Sequence, residues 1–279
     1  MQLENKNPSP RVTTYTADVS ICSQICRLAV HEHGLNNAEH VNVDIEYAMD
    51  NYEPWFVRMQ PKMTVPVLKY EDEIVGDSRD IMLFLAEKHP DKVLYPTNQK
   101  SAIDSYINDF YSKFSFIGAF TFANLASRSE EMRKFIARSK REVSLQKLKK
   151  LAQDPEFKDL AAAKIQKIQR FDLLTMAESQ DLKELDNVMR VLLDRMETDL
   201  SDGRPFLMGD SYTLADVVGT AYCARIHFIK GQELFSTQVL QYWKRMQSRL
   251  SFIAANVCAV WEDALMAKQF DAFVTTLAI

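Results

Sequence analysis

Signals typical of β-strands are confined to the first part of this 279-residue chain. Short apolar or alternating runs predict four strands, at residues 12–15, 40–44, 65–70 and 74–76. Helical spacing predicts three helices between and after them, at 21–33, 45–59 and 77–88. We expect Gly34 to stop the first helix, Pro54 to interrupt the second, and the pair Asp77-Ser78 to cap the third. The sequence therefore predicts the order βαβαββα for the first 90 residues.

Helical spacing dominates the remainder of the chain, after a polar, proline-containing stretch at 91–100. Apolar stripes run through residues 103–117 and 182–196, and residues 217–229 form a nearly unbroken apolar segment. Thr213 and Asp216 have the spacing of a capping box before that segment. We therefore expect an α/β domain at 11–90, a linker at 91–100 and an all-α domain at 101–279.

Composition excludes several classes of protein. The net charge of −4 and the pI of about 5.8 do not favour nucleic acid or an anionic membrane as a partner. No apolar run approaches the ~20 residues that span a bilayer, and the polar first ten residues do not resemble a signal peptide. Four cysteines in a chain of this length do not form a disulfide scaffold, so we expect a reducing, cytoplasmic location.

The start of the first predicted helix carries a thiol between two hydroxyls, in Ser20, Cys22 and Ser23. Free backbone N–H groups and the positive end of the helix dipole stabilise a thiolate at such a position. The alternative is a capping serine beside an inert, buried cysteine. Cys26, one helical turn further on, does not form the redox C-x-x-C spacing and is interpreted as core.

Pro66 lies at the head of a strand that should be central, where a trans proline would cost a ladder hydrogen bond. A cis bond after Val65 resolves this conflict and turns the backbone of Val65 outward, where it can pair with an extended ligand. The sequence therefore predicts a cis Val65-Pro66 bond.

In combination, the βαβαββα order, the S-x-C-S helix start, the V-P-V-L strand and the acid-Ser pair resemble the thioredoxin-like half of a glutathione transferase. The capping box resembles that of the family's helical domain, and the likeness covers roughly residues 11–257. It implies glutathione as co-substrate and no metal. It also implies that Val65, flanked by Thr64 and Pro66, pairs with the cysteinyl part of glutathione, while Asp77 and Ser78 hold the γ-glutamyl end. Met63-Thr64 replaces the Gly-Gln of many relatives at this point.

Within the family, the S-x-C-S start is similar to that of zeta-class enzymes, and especially of zeta-related reductive dehalogenases. The second likeness includes Tyr-Thr at 15–16, Asn-Tyr-Glu-Pro at 51–54, Ala-Arg-Ile at 224–226 and a long basic insertion. It implies that Cys22 attacks the sulfur of an aromatic glutathione conjugate, with Ser23 orienting or activating the glutathione thiol and Ser20 nearby. A maleylacetoacetate isomerase and a noncatalytic interaction protein remain alternatives.

The second substrate and the assembly are less constrained by the sequence. Phe110 and Phe114 are candidates for an aromatic-substrate pocket, although a core role is at least as consistent with their stripe. The resemblance implies a homodimer and a small electrophilic or aromatic substrate.

Residues 128–170 carry 13 Lys and Arg against 6 Asp and Glu. We interpret this insertion as solvated helices that lengthen the helical domain, or as a route for anionic ligands. His31, His33 and His40 show no pairing with Cys or acids that indicates a metal.

Overall fold

A computed structural model describes residues 10–18, 20–46, 48–113, 130–170, 182–228 and 231–257. The α/β part consists of β1 (Val12–Thr16), α1 (Ile21–Glu32), β2 (Glu39–Asn42), α2 (Pro54–Met59), β3 (Val67–Tyr70), β4 (Glu73–Gly76) and α3 (Ser78–Lys88). The helices that follow are α4 (Lys100–Ser112), α5 (Glu130–Leu151), α6 (Lys158–Arg170), α7 (Leu182–Leu200), α8 (Leu214–Phe228), α9 (Thr237–Gln247) and α10 (Leu250–Ala254). The predicted order βαβαββα and the helical second part are both confirmed.

The four strands form one sheet in the order β2-β1-β3-β4. β1 pairs with β2 in parallel and with β3 antiparallel, and β3 pairs antiparallel with β4. β3 is therefore internal, as expected, and it begins directly after the cis Val65-Pro66 bond. The predicted cis bond is confirmed.

The predicted end of the first helix is also confirmed. α1 ends at Glu32, and Gly34 follows with φ 78°, a conformation that suits a residue without a Cβ. The N–H of Leu35 donates to the carbonyl of Val30 at 3.1 Å, which closes the last turn.

The predicted helix over 45–59 was too long. Met49 has the left-handed φ of 53°, a 3-10 turn covers Asp50–Tyr52, and α2 starts only at Pro54. Proline suits the first helical position, where its missing N–H has no intrahelical acceptor. Pro54 therefore begins the helix instead of interrupting it.

The helical part surrounds α8, which is buried along most of its length and packs against both α1 and α4. One arm of the predicted capping box forms at its start: Asp216 accepts the Thr213 N–H at 2.9 Å. The Thr213 hydroxyl donates to the same carboxylate at 3.1 Å, and the Asp216 N–H donates to the Thr213 carbonyl at 3.0 Å. The Asp216 carboxylate also accepts the Leu207 N–H at 2.8 Å. Asp216 is 0% exposed, and burial raises its pKa to about 6 although these donors oppose the shift.

The basic insertion does not simply lengthen the helical part. α5 and α6 form an inserted hairpin, residues 130–170, whose apolar side chains pack on the α/β part. Its buried members include Leu148, Leu151, Phe157 and Ala161, in one cluster with Met49, Tyr52, Val57 and Met63. Ion pairs fasten the same face, between Lys140 and Glu46, Lys147 and Glu53, and Glu156 and Arg58. Two of these pairs match hairpin lysines with acids of the α/β part, whereas the third joins a hairpin acid to an arginine of that part.

Among the helices that the structure describes, none is both long enough and apolar enough to cross a bilayer.

Candidate active site

Cys22 lies in the first turn of α1, directly after the cap. The Ser20 hydroxyl accepts the backbone N–H of Ser23 at 3.3 Å, which makes Ser20 the N-cap of the helix. Cys22 is half-buried, whereas Cys26 and Cys223 are 0% exposed. Of the described cysteines, Cys22 is therefore the least buried.

Ser23 is placed differently from its neighbour. It is 0% exposed, and its hydroxyl accepts the N–H of Ala17 at 3.1 Å. This hydrogen bond ties the start of α1 to the end of β1, so the side chain supports the turn that carries Cys22. The hydroxyl keeps its own proton to donate, so this hydrogen bond does not by itself prevent contact with a bound thiol.

The segment before β3 contributes the next part of the site. Thr64 and Val65 are half-buried, Pro66 is buried, and the bond that precedes Pro66 is cis. The Thr64 hydroxyl oxygen is buried and finds no hydrogen-bond partner among the described residues. A buried hydroxyl without a partner indicates a position that a ligand or a water completes.

The expected cap of α3 is not formed by the side chain of Asp77. Asp77 has φ 68°, its carboxylate makes no cap hydrogen bond, and it pairs instead with the Lys62 ammonium at 2.5 Å. Ser78, the first residue of α3, is 2% exposed.

Tyr111 is a candidate site residue that the sequence did not indicate. Its hydroxyl, on α4, shares a hydrogen bond of 2.5 Å with the Ser78 hydroxyl on α3. Burial is the main cause that raises the pKa of Tyr111, and the nearby sulfur of Cys22 adds to it. Tyr111 thus connects the helical part to Ser78, which is proposed to hold the γ-glutamyl group. Tyr111 and Ser78 are 33 residues apart, and no periodicity signal connects them.

The electrostatics of Cys22 differ from the expectation. Burial raises the pKa of the Cys22 thiol to about 11, and the Asp77 carboxylate also raises it. The Ser78 hydroxyl, which can donate a hydrogen bond to the sulfur, and the Arg225 guanidinium lower the pKa but do not compensate. At a typical exposed helix start, the helix dipole stabilises a negative charge by only ~0.3–1 kcal/mol. This stabilisation is smaller than the free energy that burial costs a thiolate. The expected resting thiolate is therefore wrong for the ligand-free protein.

The remaining candidates have mixed placements. Arg225, on α8, is 8% exposed and lies 5.6 Å from the ring of Phe228. Phe110 is 2% exposed, and its ring is edge-on to Tyr111 at 5.2 Å. A substrate could reach Phe110 only after its neighbours move, so its role in substrate binding stays a prediction. Phe114 lies outside the described residues.

No group of three or more His, Cys, Asp or Glu in the described part of the chain is arranged to hold a metal ion. Two open surface depressions, of about 640 and 690 Å³, lie on α4 and between α1 and α10. Neither includes Cys22, Ser78 or Tyr111 among its lining residues.

Comparison with known proteins identifies the class. A family profile described as "Glutathione S-transferase, N-terminal domain" matches residues 19–88. Tetrachloro-p-hydroquinone reductive dehalogenase of Sphingobium chlorophenolicum is 30% identical over 266 residues, which cover 92% of this chain and all of that protein.

Two solved structures show the same fold at low identity. The glutathione transferase F7 of Populus trichocarpa is 18% identical with a TM-score of 0.61, covering 90% of this chain and 100% of its own. A glutathione transferase homologue from Sulfitobacter, solved with bound glutathione, is 18% identical with a TM-score of 0.56, covering 88% and 96%. The chain therefore belongs to the glutathione S-transferase family of enzymes. Within this family, the chain is similar to a reductive dehalogenase along nearly its whole length.

Proposed function

We propose that this protein is a cysteine-type glutathione-dependent transferase, which acts on quinonoid or aromatic glutathione conjugates by thiol exchange. The observation that carries the proposal is the joint placement of Cys22 and Ser78, in the first turns of α1 and α3, with Tyr111 near the end of α4. It is supported by the full-length likeness to a reductive dehalogenase. Glutathione is the proposed co-substrate.

In the proposed complex, the cysteinyl part of glutathione lies along Val65, with Thr64 and Pro66 on either side. Asp77 and Ser78 hold the γ-glutamyl group. The ammonium of that group would pair with the Asp77 carboxylate and offset its negative charge. In the free protein this charge raises the pKa of Cys22. Binding thus removes one of the causes that keep the thiol protonated.

The chemical step is an attack of the Cys22 sulfur on the sulfur of an aryl-glutathione conjugate. A sulfur–sulfur bond forms, the aryl carbon–sulfur bond breaks, and its electron pair stays on carbon, which takes up the proton released by Cys22. The aromatic carbon is reduced, and the two sulfurs are oxidised to a protein-glutathione disulfide. A second glutathione then releases Cys22 as a thiol and leaves as oxidised glutathione. Ser20 and Ser23 are assigned supporting roles at the turn that holds Cys22.

Intact-mass measurement after incubation with oxidised glutathione tests this proposal. We expect a mass increase of one glutathione in the wild-type protein and in Cys26→Ala, and none in Cys22→Ala. Cys26 is the matched control because it lies one turn away in the same helix and is 0% exposed. Absence of the adduct, together with no retention on glutathione-agarose by a folded protein, would refute the proposal and favour a noncatalytic interaction protein.

One observation favours a second candidate, a maleylacetoacetate isomerase-like activity. A Cys22 pKa of about 11 leaves the protein thiol protonated at neutral pH, and an isomerase that uses the thiolate of glutathione itself does not need the protein thiolate. Isomerase activity that survives Cys22→Ala would support this alternative over thiol exchange.

We also propose a cytoplasmic homodimer. The described cysteines are free thiols, which is consistent with a reducing compartment, and the dimer follows from the family resemblance. Light scattering at the monomer mass would refute the dimer.

A further inference from the structure

The inserted hairpin lies against the loop that leads to the cis proline, residues 60–64. Lys164 of α6 points its ammonium at this loop and donates to the main-chain carbonyls of Lys62 at 3.0 Å and Met63 at 3.3 Å. These carbonyls belong to residues only a few positions before Val65-Pro66. The hairpin is therefore in direct contact with the backbone that presents the proposed glutathione site.

Met63 is the centre of this contact. Its φ of 55° is in the left-handed region, which a side chain normally disfavours. It is 1% exposed and belongs to the same apolar cluster as Leu148 and Phe157 of the hairpin. Its carbonyl accepts a second hydrogen bond, from the Asn51 side-chain amide at 3.1 Å. Burial against the hairpin thus offsets an unfavourable backbone conformation at Met63.

The loop that is held in this way carries the groups of the site. Lys62 extends its side chain to Asp77 at 2.5 Å, and Thr64 places its unpartnered hydroxyl next to Val65. The loop's own hydrogen bonds are local: the Met63 N–H donates to the Gln60 carbonyl at 2.8 Å. A change in the conformation at Met63 would therefore displace Lys62, Thr64 and Val65 together.

We propose that the inserted hairpin braces the glutathione site and that Lys164 is a positioning residue for the loop at 60–64. The proposal rests on glutathione binding as assigned above, and it gives the basic insertion a role within the reaction. Lys164 does not touch the reacting atoms; it acts through the carbonyls of Lys62 and Met63. Burial and the neighbouring Lys167 lower the pKa of Lys164 to about 8. Because a buried ammonium needs hydrogen-bond acceptors, the two carbonyls hold Lys164 in place as much as Lys164 holds the loop.

A different residue of the hairpin provides a matched control. Lys147, on α5, pairs with Glu53 at 2.5 Å, just before α2. No hydrogen bond or ion pair of Lys147 involves the described residues of the loop at 60–64. Lys147→Met therefore removes the same type of side chain and one fastening of the hairpin without removing a bond to the loop.

The test measures the Kd for glutathione of the full-length protein by isothermal titration calorimetry, with thermal midpoints recorded for each variant. We expect Lys164→Met to weaken binding by about tenfold, because two charge-assisted hydrogen bonds to the loop are lost. We expect Lys164→Arg to recover most of the affinity and Lys147→Met to stay within about twofold of the wild type. A merely structural role would lower the thermal midpoint of both methionine variants without separating their affinities.

A second variant keeps the proposal testable even when Lys164→Met folds poorly. Met63→Gly gives the left-handed position a residue that adopts it freely, but it removes the side chain buried under the hairpin. We expect about fivefold weaker glutathione binding. Unchanged affinity in Met63→Gly and Lys164→Met, with a wild type that binds glutathione, would overturn the brace and leave the proposed function intact. A wild type that does not bind glutathione would overturn both.

Discussion

The Cys22 thiol should react with an alkylating reagent far more slowly at neutral pH than an exposed cysteine does. Its pKa is raised to about 11, so that at pH 7 only about one molecule in 10,000 carries the thiolate, against about 3% for an ordinary cysteine with a pKa of ~8.5. Because the thiolate is the reactive form, the expected deficit in rate is about 300-fold before any effect of access.

The assay is alkylation by iodoacetamide between pH 7 and 11, followed at the peptide that contains Cys22 by mass spectrometry. We expect the rate constant to rise about tenfold per pH unit up to about pH 10. Asp77→Asn should move the curve to lower pH, since it removes a carboxylate that raises the pKa of Cys22. Ser78→Ala should move it to higher pH, since the lost hydroxyl lowers that pKa. Circular dichroism at each pH confirms that the protein stays folded.

A plateau in the rate by pH 8 would refute this reasoning. It would mean that the amides at the start of α1 stabilise the thiolate more than burial destabilises it. Cys26→Ala is the control that the measured alkylation occurs at Cys22. Burial raises the pKa of Cys26 to about 12 and its side chain is 0% exposed, so Cys26 should not react. The curve for Cys22 should be the same in that variant.

Three further predictions concern the site and the stability of the fold. Tyr111→Phe and Ser78→Ala should each weaken glutathione binding by about threefold to tenfold in calorimetry. Because the two hydroxyls share one hydrogen bond, the double variant should lose less binding free energy than the two single variants together. Additive losses of binding free energy would contradict this coupling. Asp216→Ala should lower the free energy of unfolding, measured by urea denaturation, by about 3–5 kcal/mol, since it leaves several buried donors without an acceptor. Asp210, an exposed residue of the same loop, provides the control. Asp210→Ala should change the free energy of unfolding by less than ~0.5 kcal/mol. Burial lowers the pKa of His33 to about 4, below the ~6.5 of an unfolded chain, so its neutral form stabilises the fold fully above pH 6.5 and that stability is lost as the pH falls towards 4. His33→Asn should therefore flatten the pH dependence of unfolding in that window by up to about 1.4 kcal/mol per pH unit, and an unchanged slope would contradict the assignment.

Local patterns in the sequence predicted those features whose causes are local. Short apolar or alternating runs predicted the strands, Gly34 predicted the end of α1, and the spacing of Thr213 and Asp216 predicted the cap of α8. Pro66 at the head of an internal strand was enough to predict the cis bond. The helix expected over 45–59 was wrong because Pro54 suits both an interruption and a first helical position, and spacing alone does not separate the two.

The candidate site was less accessible to such reasoning, because its energetics depend on contacts between distant residues. The helix start around Cys22 was visible in the sequence, but the burial that raises the pKa of its thiol was not. Tyr111 reaches Ser78 from another part of the chain, and Lys164 reaches Met63 across 101 residues. Only the tertiary structure connects them.

The contact between the hairpin and the α/β part also limits how the chain can be shortened. Deletion of residues 130–170 would uncover the apolar side chains of Met49, Tyr52, Val57 and Met63 in one patch, and exposed patches of this kind promote association between molecules. A shortened version of this protein should therefore aggregate unless those four residues are replaced by polar ones.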